Sequence, residues 1–206
     1  MSYAEDSLEL SLRWIVPLLP TGDLRKENWT VREISLDIAR DLVKRYHYAR
    51  GGSNTAVACH GLFHRDYDDE CYGVTWWLPP TRSAAKATYP DDPNGVLSLS
   101  RLVIHPGAPR NAATFLLARS VKMLDPRWTC LVTYADTWQG HTGGIYRAAN
   151  WKYVGLTKPK WVYVRDGRMM GPKRGPKTLS REQMLANGFE ALGRFAKHKY
   201  VLMRGA

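Results

Sequence analysis

Three side chains stand out for what their type and placement would let them do. His47 follows Val43 by four positions, at the end of a stretch in which Leu36, Ala39, Val43 and Tyr46 recur at helical spacing. Its imidazole therefore shares that helix's inward side and is the best candidate for moving a proton near neutral pH. The competing reading is a helix-end histidine bonded to the last carbonyls. Asp136 closes the apolar run 129–135, and a carboxylate at the C-terminal edge of a central strand faces the crevice where α/β folds hold ligands; a turn cap is its alternative. Arg101, beside Ser100, interrupts the alternation Leu97, Leu99, Leu102, Ile104. A guanidinium there would grip a carboxylate or phosphate with two parallel bonds, unless the strand is an exposed edge. A proton acceptor, a carboxylate and donors for a developing oxyanion are the parts that group transfer to a nucleophile requires.

Other chemistries find less support. Cys59, Cys71 and Cys130 have no paired spacing, so neither a zinc site nor a disulfide framework is indicated, no metal ligand set is assigned, and a reducing compartment fits best. The start of the chain is acidic, with no basic leader, and the apolar stretch 14–19 is too short to span a bilayer. The charge is more telling. The formal net charge is +11, and residues 158–206 hold twelve Lys and Arg against three Asp and Glu. Nine of the eleven excess charges thus lie in the last quarter, a clustering that suits counterion release from a phosphate backbone better than it suits solubility alone.

The elements that must position these groups follow from pattern. Residues 1–30 read as an irregular lead-in with an early strand near 12–16. A helix of about three turns starts after Ser35 as N-cap and ends near 48–49, before Gly51 and Gly52. Two apolar runs, 56–64 and 72–78, flank an acidic turn and read as a hairpin that Pro79 and Pro80 stop. A strand over 96–104 carries an irregularity at Arg101. A tight turn, Pro106 to Pro109, leads into a buried helix over 111–124. The run 129–135 is a central strand buried on both faces. A Gly-rich stretch from Gly140 opens a short helix over 145–150, and 153–156 with 161–164 read as a closing pair of strands. The Gly/Pro segment 171–177 reads as an exposed basic loop carrying Lys173, Arg174 and Lys177. Ser180 and Gln183 have capping-box spacing for a helix fading at Gly188, and 195–203 reads as a basic strand. The expected architecture is α/β (α+β): a lead-in over 1–30, a mixed central sheet flanked by helices over 31–166, and a basic C-terminal extension over 167–206.

This order of strand, Pro/Gly turn, helix, strand, short helix and strand resembles the GNAT acetyltransferase fold. In that fold the acyl-CoA pyrophosphate sits at the start of the helix after the fourth strand. The resemblance places cofactor contacts at Arg110, Asn111 and Ala112, with Arg101 in the acyl pocket. The family's Gln/Arg-x-x-Gly-x-Gly/Ala pattern is absent, and Pro109 removes one donor. Four motifs in order carry a sharper resemblance: Tyr46-His47-Tyr48, Leu99-Ser100-Arg101-Leu102, Tyr134-Ala135-Asp136, and Gly144 through Trp151, with the basic ending Lys197-His198-Lys199-Tyr200. Together they resemble the phage Mom family over residues 34–165. Its members modify adenine in DNA to a carbamoylmethylated form that resists host restriction.

That resemblance implies a transferase acting on adenine N6 in double-stranded DNA, in the cytoplasm of a bacterial host. It implies a site of His47, Tyr48, Ser100, Asp136 and Tyr146, the tyrosine serving as general acid toward the leaving group; a packed ring is the alternative for Tyr146. The donor is left open, with acetyl-CoA or another acyl donor implied, and ferrous iron is implied through the family alone. An enzyme that works on a base must extrude it, which favours aromatic platforms; Trp76, Trp77 and Trp138 are the options, while Trp151 and Trp161 read as core. Lys173, Arg174 and Lys177 are placed to meet phosphates. Two other functions fit the same residues: a GNAT N-acetyltransferase for a small amine or protein, and a noncatalytic DNA-binding module.

Overall fold

A computed structural model describes residues 22–174 and 177–205. The frame is a seven-stranded sheet. Its first members are β1 (Trp29–Glu33), β2 (Ala58–His64), β3 (Tyr67–Leu78) and β4 (Val96–Ile104), all antiparallel neighbours. Then β5 (Cys130–Asp136) runs parallel to β4, and β12 (Lys197–Met203) lies antiparallel between β5 and β6 (Lys152–Leu156). The order across the sheet is therefore β1-β2-β3-β4-β5-β12-β6. Helix α1 (Leu36–Tyr46) covers one face. Ser35 caps it by accepting from Ile38 N–H, and Ala39, Leu42 and Val43 press on Trp76 and Val103. Helix α3 (Ala112–Met123) covers the other face through Leu116, Leu117 and Ser120. Trp76 and Trp77 are successive strand residues, so they serve opposite faces; both are 0% exposed. Neither is a base platform.

Several expectations change in detail. The early strand near 12–16 lies outside the described residues. The hairpin turn is tighter than its acidic composition implied, since Tyr67 to Glu70 already belong to β3. A short helix, α2 (Arg82–Thr88), occupies what read as loop; Thr81 caps it by accepting from Ala84 N–H. The strands expected to close the sheet as a pair part company. β6 joins the main sheet, while β7 (Lys160–Arg165) pairs with β8 (Arg168–Met170) and β11 (Glu190–Phe195) in a separate three-stranded sheet. The basic Gly/Pro loop contains two short paired strands, β9 (Lys173–Arg174) and β10 (Lys177–Thr178). Helix α5 (Arg181–Ala186) has the reciprocal capping box between Ser180 and Gln183. The expected terminal strand divides at Ala196 into β11 and β12, so the segment read as an extension supplies an interior strand of the main sheet. Helix α4 (Gly144–Ala148) completes the elements. Among the described residues no helix is long and apolar enough to cross a membrane.

Candidate active site

The site begins where two parallel strands separate. β4 and β5 pair only from Val96 opposite Cys130 to Leu99 opposite Thr133. Beyond that point β4 stays with β3 and β5 with β12. Ser100 is the extra residue where Trp76 faces Arg101 but Trp77 faces Leu99, a bulge that bends β4 at the irregularity expected near Arg101. The gap is a cleft of about 520 Å³, bordered by His47, Tyr48, Ser100, Thr133, His141 and Tyr146.

His47 leaves α1 with extended backbone, its N–H donating to Val43 O. Its Nδ1 accepts from Ala49 N–H at 3.0 Å. Burial, aided by the positive charges of Arg101, His141 and Lys197 and opposed by Asp136, lowers its pKa to about 4. The ring is therefore neutral at pH 7, and with Nδ1 accepting, its proton sits on Nε2. This imidazole offers its Nε2–H as a hydrogen-bond donor to the cleft it lines. The helix-cap alternative is half right, because the ring does bond the backbone, though as an acceptor from an amide. Tyr48 stacks on it, ring centroids 4.3 Å apart, and donates its hydroxyl to Asp136 Oδ2 at 3.3 Å. Burial and the Asp136 charge raise the Tyr48 pKa well above its ordinary value.

Asp136 is only 2% exposed. The antiparallel register sets Lys197 directly opposite it, and Lys197 Nζ reaches Oδ2 at 2.8 Å. Both contacts fall on Oδ2, while Oδ1 is buried with no partner among the described residues. Buried acceptors without donors are rare because they forfeit hydration for nothing. Asp136 does not border the cleft itself; it lies behind Tyr48 and lines a second cavity. Lys197 is the functional residue the sequence did not single out. Its only signal was membership of the basic ending, and its partner 61 positions away is set by strand register.

Tyr146 is delivered by α4. Gly143 makes that entry possible, since its φ of +75° is left-handed and a Cβ would collide with the Tyr200 ring. Tyr146 packs against Trp151 and Tyr200. Burial raises its pKa, opposed by a side-chain hydrogen bond with Thr133. The phenol thus keeps its proton at neutral pH.

Of the expected cofactor contacts, Arg101 has protein partners: Nε and Nη2 both donate to Gly51 O, and Nη1 donates to Ser100 O and Oγ, tying the loop after His47 to β4. Arg110 pairs with Asp23 at 3.0 Å, and Asn111 also reaches Asp23. Ala112 is buried beside Trp29 and Leu62. Of that turn only Ala113 borders the cleft. Trp138 is half-buried in the turn after Asp136, and Lys173 and Lys177 are exposed on the β9–β10 hairpin beside Arg174.

Ferrous iron does not suit these groups. A metal-binding imidazole nitrogen needs a lone pair there and a proton on the other nitrogen, the reverse of His47. Asp136 Oδ2 is already held by Lys197, and among the described residues no three His, Cys, Asp or Glu side chains converge.

The family model for the Mom protein family matches residues 28–204. The methylcarbamoylase Mom of Escherichia phage Mu is 28% identical over 143 residues, which cover 66% of this chain and 57% of that protein; the match thus spans little more than half of its curated relative. Among solved structures, Arabidopsis thaliana NAA60 in complex with acetyl-CoA aligns with a TM-score of 0.57 at 12% identity, over 85% of this chain and 98% of that one. The same enzyme with a bisubstrate analogue aligns at 0.54 and 13% identity over the same shares. These likenesses show a GNAT-like fold.

Proposed function

The chain belongs to the Mom protein family, and from that premise we propose that it transfers an acyl-derived carbamoylmethyl group to the N6 amine of adenine in double-stranded DNA, shielding phage DNA from host restriction in the bacterial cytoplasm. The observation that supports this reading is the gap between β4 and β5, bordered by His47, Tyr48 and Tyr146, with Asp136 bonded to the Tyr48 hydroxyl directly behind it. Three separate segments supply these four residues.

In the reaction the N6–carbon bond forms, the bond from that carbon to its leaving group breaks, one proton leaves N6 and one reaches the leaving group. Asp136 Oδ1, buried and unpartnered among the described residues while Lys197 and Tyr48 hold Oδ2, accepts the N6 proton. The neutral His47 ring donates Nε2–H to the oxygen on which charge develops, a role in which a donor that stays unprotonated elsewhere avoids competing charge. Tyr146, kept protonated by burial, supplies the proton to the leaving group. Ser100 borders the donor side of the cleft. An acyl-CoA donor would place its phosphates near Arg110 and Asn111 only by displacing Asp23.

Enzymatic digestion of DNA from cells expressing the chain, followed by nucleoside mass spectrometry, tests the proposal. A deoxyadenosine heavier by the transferred group is expected. Unmodified deoxyadenosine alone, alongside stabilisation of the protein by acetyl-CoA, would favour an N-acetyltransferase instead.

A further inference from the structure

The second cavity, about 650 Å³, opens between the three-stranded sheet and the start of β12. We propose that it is the pocket for the extruded base, an inference that rests on the reading of the chain as a DNA adenine-modifying enzyme. Its walls are aromatic and thioether surface: Trp161, Met169, Met170 and Phe195. Trp161 is 39% exposed and Met170 37%, so this surface faces solvent although such side chains ordinarily fill a core. Every nucleobase has a π-face that such a surface can stack. The charged lining is equally one-sided. Among the described residues, Lys160, Arg181, Arg194 and Lys197 line the cavity, and Asp136 is the one acid that does. Arg181 lies over the Trp161 ring, 4.9 Å from its centroid, and Arg194 bonds Pro159 O. Basic and aromatic side chains lining one cavity suit a nucleotide, which brings a phosphate and a base together.

Asp136 and Lys197 favour an amino base. Asp136 Oδ1 is a buried acceptor with no donor among the described residues, and Lys197, 2.8 Å from Oδ2, is a donor lining the same cavity. Adenine offers the complement on one edge, with N6–H as donor next to N7 as acceptor, and cytosine offers it with N4–H next to N3; the proposed reaction takes adenine. Guanine and thymine present a carbonyl oxygen where adenine has its amine, and that oxygen would meet the carboxylate. Asp136 lines this cavity, and Tyr48, whose hydroxyl it accepts on Oδ2, borders the donor cleft.

The test uses the full chain and a fluorescein-labelled thymidine oligonucleotide with one central adenine, or with guanine or an abasic site in its place, read by anisotropy. Adenine is expected to bind about tenfold more tightly than the abasic or guanine strand. Trp161→Ala and Phe195→Ala should erase that preference, and Trp161→Phe should keep it. Met170→Ala, at an exposed position, gives a further reading should either alanine variant fail to fold. Equal affinity for the three strands, or a preference that survives both alanine changes, overturns the pocket. Adenine preference without any modified nucleoside in cells would instead overturn the transfer reaction and leave the pocket standing.

Discussion

An imidazole that already accepts an amide hydrogen on Nδ1 has one polar group left, and at His47 that group is Nε2–H. Long-range ¹H–¹⁵N spectra of the protein should show this tautomer, with no protonation of the ring until pH falls towards about 4; a ring titrating near 6.5 would contradict it. The same burial links to stability. The folded pKa is depressed, so the unfolded chain binds a proton first, and the stabilisation present above about 6.5 is lost as pH falls towards 4. Urea midpoints should therefore drop over that window in the wild type and drop less in His47→Gln. Tyr48→Phe removes one of the two contacts on Asp136 Oδ2 while keeping the ring stacked on His47. Modification is expected to fall about tenfold, the loss associated with one hydrogen bond to a charged group, as read by nucleoside mass spectrometry; an unchanged level would remove Tyr48 from the site.

At the scale of elements, helix α3 is fixed to the sheet by a buried polar knot as well as by apolar packing. Trp77 Nε1 donates to Ser120 Oγ at 2.8 Å, and His60 Nδ1 and Thr75 Oγ1 lie 2.7 Å from the same oxygen. Ser120→Ala leaves three buried groups short of a partner, a loss of about 2–4 kcal/mol. Urea unfolding measures it, and a change under about 1 kcal/mol would mean that the groups find other partners. Much of this layer was legible in the sequence because it is local. Ser35, Ser180 and Gln183 announce their helices by capping chemistry, the run 129–135 announces a buried strand, and the polar break at Ser100 and Arg101 announces the bulge. What was hidden is pairing at a distance. Nothing near residue 197 shows that β12 will enter the sheet beside β5, so Lys197 could not be matched with Asp136. Trp161 read as core because tryptophan usually is, and only the separation of β7 from the main sheet exposes it. The role of Arg101 was hidden for a similar reason, since its partner, Gly51 O, belongs to a loop without sequence pattern.

Across the whole molecule, charge and shape divide the work. Of the basic residues after 158, Lys160, Arg181, Arg194 and Lys197 line the second cavity, and Lys173 and Lys177 are exposed on β9 and β10. Replacing Lys173, Arg174 and Lys177 together with glutamine should weaken duplex binding at low salt. It should also flatten the plot of log affinity against log salt, by about 0.9 for each phosphate that is no longer neutralised. An unchanged slope would free that hairpin from any part in DNA binding. The chemistry depends on one carboxylate standing between a donor cleft and a base pocket, and its most direct test is Asp136→Asn, expressed to the same level as wild type and checked for an equal melting temperature. Digested cellular DNA should then show modified deoxyadenosine reduced at least about a hundredfold, in the range for loss of a general base. Wild-type levels of the modified nucleoside in that variant would contradict the assignment of the N6 proton to Asp136.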